Sequence, residues 1–176
     1  ICFYHSCPVK YRSNAFQLVI TPLAPKTLVG LDLSEGMLGF AREKAKKQNL
    51  EEIISFEKGD AENLRFESNS FDLVTCLSVI EHSVDYSLLA KESSRLLKVG
   101  GQLIVSCDYW NPKPDTSLTK LYSLDWNILD KNDVLRLVNE MSKVGLNITS
   151  DIDWTTSEAV INPQYCSPVA GVSYSF

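Results

Sequence analysis

Three small polar clusters each stand directly after an apolar run, where a parallel sheet presents its chemistry. Asp32 lies near the end of the run Thr27–Leu33 (TLVGLDL). Asp60 and Ala61 follow the run Ile53–Lys58, inside the turn-forming segment GDAEN. Ser78, Glu81 and His82 follow Phe71–Leu77 (FDLVTCL). A carboxylate at a strand end can accept two hydrogen bonds from a cis-diol, the usual way a nucleotide-binding sheet holds a ribose. The plain alternatives are an exposed strand-end aspartate for Asp32 and an ordinary Gly-Asp turn for Asp60. His82 is one of two histidines and could serve as a general base, or it could simply help start a helix. Tyr109 and Trp110 either line an acceptor pocket or anchor a loop.

These residues need a frame, and the chain supplies one by alternating apolar runs with helical patterns from about Thr27 onward. That alternation predicts an α/β fold with a mostly parallel sheet. Ser34 is a good N-cap with Glu35 in the first helical turn, and Met37, Leu38, Ala41 and Ala45 recur at helical spacing as a buried face. Asn49 stops that helix. Phe71–Leu77 reads as a strand buried on both faces. Ser87–Lys98 reads as a helix with Leu88, Leu89, Leu96 and Leu97 inward. Val99–Gly101 ends it, and Gln102–Cys107 supplies the next strand. The segment DYWNPKPDTS, with two prolines and two aromatics, suits an ordered loop or lid. Asp130 caps a helix running to about Val144, with Val134, Leu135, Val138 and Met141 as its apolar face. Leu146–Trp154 and Val172–Phe176 are the last strand candidates.

Bulk properties narrow the function classes. The 176 residues suit one domain able to bury a core, with 44% hydrophobic and 22% charged residues and a net charge of −5. That charge, with no Lys/Arg cluster, speaks against a nucleic-acid module. No apolar run approaches a membrane span. The five cysteines are irregularly spaced and two sit in apolar runs, which reads as reduced thiols in a cytoplasmic protein. Cys2, His5 and Cys7 form one small cluster without a second pair, so no metal site is expected.

Three segments in order carry a resemblance: VGLDLSEGMLGFAREKA, FEKGDAENLRFESNSFDLVTCLSVIEH and RLLKVGGQLIVS. From Thr27 to Trp110 the chain resembles the class I S-adenosylmethionine-dependent methyltransferases, in particular the methyltransferase type 11 group. The resemblance implies a Rossmann-like sheet with flanking helices. It also implies methyl transfer from S-adenosylmethionine to a small-molecule or lipid-like acceptor. Carried over residue by residue, it implies that Asp32 holds the ribose hydroxyls and Leu33 packs on the adenine. Asp60 and the Ala61 backbone would meet the adenine edge, and Ser78 would lie beside the methionine portion. No catalytic residue and no oligomeric state follow from it. Displacement at a sulfonium is driven largely by alignment, and a base is needed only where the acceptor must lose a proton.

One part of the pattern is missing upstream. The family places its first strand at the centre of the sheet, followed by a glycine-rich loop, and residues 1–26 contain no glycine. Phe16–Thr21 cannot be that strand, because the five residues Pro22–Lys26 are too few for a parallel crossover. The sequence therefore predicts an atypical segment at 1–26 and a methyltransferase-like domain at 27–176, truncated at both ends. The N-terminal strand and helix would be incomplete and the cofactor poorly held. An inactive scaffold or an incomplete fragment is the alternative to an enzyme. A dehydrogenase is disfavoured by GDAEN and by the lack of a GxGxxG loop.

Overall fold

The apolar runs become strands for the reason their composition suggests: β-branched and aromatic residues fit a pleated, covered surface. A computed structural model describes residues 2–4, 26–121, 124–154 and 171–175. In chain order its elements are β1 (Cys2–Tyr4), β2 (Leu28–Asp32), α1 (Glu35–Lys47), β3 (Ile54–Lys58), β4 (Phe71–Leu77), α2 (Tyr86–Leu96) and β5 (Leu97–Asp108). There follow the short strands β6 (Lys120–Leu121) and β7 (Leu124–Asp125), then α3 (Lys131–Lys143) and β8 (Gly171–Ser175). Six strands form one sheet in the order β3-β2-β1-β4-β5-β8, and β6 with β7 forms a separate hairpin. All pairings in the large sheet are parallel except β5 with β8. The result is a Rossmann-like α/β fold.

The centre of this sheet corrects the expectation that the first strand is absent. β1 pairs with β2 through Cys2↔Gly30 and Phe3↔Leu31, and with β4 through Cys2↔Thr75, Phe3↔Cys76 and Tyr4↔Leu77. Residues 5–27 separate β1 from β2, more than the roughly one dozen that a parallel crossover requires. The strand is only three residues long, so it gives no apolar run to read. The expected strand at Phe16–Thr21, the upstream loop and the Cys2–His5–Cys7 cluster fall on residues or side chains outside the described set.

Each helix is set by its cap and by one apolar face. Ser34 accepts from the Met37 N–H at 3.4 Å and starts α1, which buries Leu38 and Ala45. Asn49 follows it with φ +56°, a left-handed step that Asn tolerates. Asp85 caps α2 by accepting from the N–H groups of Ser87 and Leu88. A reciprocal pair, Asp130 with Asp133, caps α3.

The main core joins Val74, Cys76, Leu103, Val105 and Cys107 of the sheet to Leu89 and Leu96 of α2 and to Val134, Leu137 and Met141 of α3. Burying each large apolar side chain contributes about 1.5–3 kcal/mol. Three expectations shift. Leu88 and Leu135 are exposed, because the faces of α2 and α3 turn toward Leu89 and Leu137. The α2 helix stops at Leu96, and β5 already begins at Leu97. Leu146–Trp154 is irregular rather than a strand: β8 takes the place beside β5, while Leu146, Ile148, Ile152 and Trp154 pack onto the main core.

Candidate functional site

The carboxyl ends of β2, β3 and β4 open into a cleft of about 80 Å³. Its walls come from Leu31, Asp32 and Leu33 after β2, Gly59, Asp60 and Ala61 after β3, and Val79, His82 and Val84 after β4. Leu124, from the β6–β7 hairpin, closes one side. In an open α/β sheet, ligands bind in a crevice at the carboxyl ends of the strands.

Asp32 is buried, and its position is fixed locally. Its Oδ1 accepts from the Ser34 N–H at 2.7 Å, so the residue that ends β2 is tied to the cap that starts α1. Its carbonyl accepts from the Gly59 N–H at 3.2 Å, joining the two strand ends that frame the cleft. Asp60 turns the chain by accepting from the Glu62 N–H at 3.0 Å, and Asn63 donates back to the Asp60 carbonyl. Glu62 in turn accepts from the Asp85 N–H at 2.7 Å, so the turn is fastened to the start of α2.

Of the residues singled out from sequence, Asp32, Leu33, Asp60 and Ala61 share this cleft, and His82 joins them. Ser78 stands one residue before the wall residue Val79 and is not itself part of the lining. Its φ is +53°, an uncommon conformation for a residue with a Cβ. Its N–H donates to both the carbonyl and the Oγ of Ser106 at 3.1 Å, which holds the turn after β4 against β5. Tyr109 is buried and packs against Trp154 with ring centroids 6.0 Å apart. It anchors the segment after β5 and is not part of this cleft's lining. Val79, Val84 and Leu124 escaped the sequence reading. Leu124 carried no usable signal, since only folding brings a hairpin 64 positions after Asp60 to the same cleft.

Next to the cleft wall lies a buried acidic centre. Glu81 is 1% exposed and Asp108 is 7% exposed. Burial, and then the nearby Asp108 carboxylate, push Glu81 well above the usual carboxylate range against the pull of a backbone N–H. Burial raises Asp108 too, opposed by the Trp126 indole that donates to its Oδ2 at 2.8 Å.

The sequence of this region matches a known domain. The model for the methyltransferase domain covers residues 13–105, more than half of the chain. The chain belongs to the methyltransferase domain family. A demethylmenaquinone methyltransferase of Bacteroides fragilis is 42% identical over 83 residues, 47% of this chain and 34% of the relative. A ubiquinone/menaquinone biosynthesis C-methyltransferase of Rhizobium rhizogenes is 40% identical over 75 residues, 43% of this chain and 29% of the relative. Each match thus spans about a third of the relative's length. The geranyl diphosphate C-methyltransferase of Streptomyces coelicolor shares the fold with a TM-score of 0.66 at 20% identity, over 81% of this chain and 52% of its own. The PH0226 protein of Pyrococcus horikoshii aligns with a TM-score of 0.62 at 22% identity, over 92% and 76% of the two chains. No helix among the described residues of this methyltransferase domain is long and apolar enough to cross a membrane.

Proposed function

We propose that this methyltransferase domain binds S-adenosylmethionine in the cleft between β2, β3 and β4 and methylates a small acceptor of the quinone class. The observation that carries the reading is the buried Asp32 sharing one cleft with Leu33, Asp60 and Ala61. The donor set fits an adenosine. A carboxylate accepts up to about four hydrogen bonds, enough for Ser34 and both hydroxyls of a ribose. Leu31, Leu33, Val79, Val84 and Leu124 offer apolar surface to a planar base. Asp60 and the Ala61 backbone, both in the cleft wall, are assigned the acceptor and the donor for its polar edge. When bound, the cofactor supplies a methyl group on a sulfonium, so the chain's task is to orient the acceptor and exclude water. The names of the partial relatives support an acceptor of the quinone class. A cytoplasmic location suits such a domain.

The test is calorimetric titration of residues 1–176 with S-adenosylhomocysteine. Micromolar binding is expected, weakened at least about tenfold by Asp32→Ala, as for loss of hydrogen bonds to a charged group. Absence of binding would overturn the reading. It would favour a second one, a methyltransferase-like interaction module, for which the lack of any glycine before Gly30 speaks.

A further inference from the structure

The loop between β5 and α3 carries Leu124 to the cleft, and its return path is stitched to two buried carboxyl residues. The Trp126 indole donates to Asp108 Oδ2 at 2.8 Å, and the Leu129 N–H donates to the Asp108 carbonyl at 2.8 Å. The Asn127 N–H donates to the Glu81 carbonyl at 2.8 Å. Trp126, Ile128 and Leu129 are all buried. Glu81 immediately precedes His82, which lines the cleft, so one residue joins the cleft wall to the loop return.

The side chains beneath this stitching pose an electrostatic problem. Among the described residues Glu81 Oε2 is buried with no hydrogen-bond partner. The titratable groups around the pair include Cys76 from β4, His82 next to Glu81 in the chain, Tyr86 from α2 and Cys107 beside Asp108 on β5, with Asp133 and Arg136 of α3 acting on Tyr86. Among the described residues neither Glu81 nor Asp108 is in an ion pair. Two like charges in such a site cannot both persist, because each lacks solvation and they repel.

We propose that Glu81 and Asp108 share one proton and act together as the positioning element of the loop between β5 and α3, fixing Trp126–Leu129 and, through them, Leu124 at the cleft. A neutral Glu81 removes the repulsion, and the ionised Asp108 is left as a strong acceptor for the Trp126 indole. The role assigned to the loop rests on the methyl-transfer reading; the shared proton does not.

The experiment compares the melting temperatures of the wild type and Glu81→Gln from pH 4.5 to 8.5. An unfolded Glu81 loses its proton near pH 4.5, whereas the native one keeps it to higher pH. The wild type therefore loses stability relative to the Gln variant as pH rises, by up to about tenfold in the folding constant per pH unit. The expected result is a melting-temperature difference that grows with pH; a difference that is flat across the range overturns the proposal. Should Glu81→Gln fail to fold, the same comparison with Glu81→Met, which also removes the titrating group, decides with the same sign and the same overturning result.

Tryptophan emission supplies the loop readout. Glu81→Ala should red-shift it, a Trp126→Phe background should abolish that shift, and Glu81→Gln should restore the wild-type spectrum. An unshifted Glu81→Ala spectrum refutes the positioning role. Failure of S-adenosylhomocysteine to bind would instead remove the methyl-transfer reading and leave the pH signature standing.

Discussion

Gly30 on β2 faces Phe56 on β3 so closely that a Cβ on Gly30 would lie 2.6 Å from the ring's Cδ1 and 2.8 Å from its Cε1. The glycine is required by this approach and not by its backbone conformation. Gly30→Ala must displace a half-buried ring and should destabilise the domain by about 1–3 kcal/mol, as overpacking generally does. Thermal denaturation checks this. Restoration by Gly30→Ala combined with Phe56→Leu would identify the ring as the obstacle, and an unchanged melting temperature for the single variant would refute the account.

Arg95 of α2 holds the segment that follows the Asp60 turn. Its guanidinium donates to the carbonyls of Phe66 at 2.6 Å and Leu64 at 2.8 Å, and to both carboxylate oxygens of Glu92, while Glu92 accepts from the Leu64 N–H at 3.0 Å. Arg95→Met should therefore weaken S-adenosylhomocysteine binding by about three- to tenfold, or roughly 0.6–1.4 kcal/mol, without contacting the ligand. The Arg95 hydrogen bond, working against burial, holds Glu92 below the ordinary carboxylate value of 4.5. Its stabilisation is thus present above that pH and is lost as pH falls through the folded value. The stability gap between wild type and Arg95→Met should shrink on acidification below about pH 4.5; a gap unchanged there would contradict the pairing.

Asp133 ties the other loop segment to α3. It is 3% exposed, accepts from Lys113 Nζ at 2.6 Å and from the Asp130 N–H at 3.1 Å, and is paired with Arg136. Burial raises its pKa, but these hydrogen bonds outweigh burial and hold it below its ordinary value. Asp133→Ala loses the reciprocal half of the cap and strands Lys113, at a cost of about 1–3 kcal/mol. Lys113→Met should cost less, because the lysine is partly in water. Denaturant titration of the two variants checks the order, and equal losses would count against it.

Cys76 and Cys107 are fully buried, and burial pushes both thiols far up. A thiolate is the reactive species. Native protein exposed to iodoacetamide at pH 8 should leave these two unmodified, and denaturant should expose them. Peptide mapping reads the outcome, and rapid native labelling of either would refute the packing described.

Much of the fold and half of the cleft were legible because they rest on local rules. The Ser34 cap, the continuous run at Phe71–Leu77, the strand-end position of Asp32 and the turn at Asp60 each depend on a few neighbouring residues. The sequence also carried the family, since three segments stood in order at characteristic spacing. The errors have a common origin in non-local competition. Leu146–Trp154 has strand composition, yet its place beside β5 is taken by β8. Leu88 and Leu135 are apolar at helical spacing, yet each lies just off the face its helix turns to the core.

What the sequence by itself determined is therefore the types of β2, α1, β3, β4, α2, β5 and α3, the carboxylate at the end of β2 and the absence of glycine before Gly30. Only the tertiary structure decided that Cys2–Tyr4 is the central strand. Three residues carry too little periodicity to be read, but two parallel neighbours supply the hydrogen bonds that make them a strand. Only the tertiary structure, likewise, brought Leu124 to the cleft and set Glu81 against Asp108. Those contacts join segments far apart in the chain, and their energies depend on burial and charge proximity that exist only once the sheet has formed.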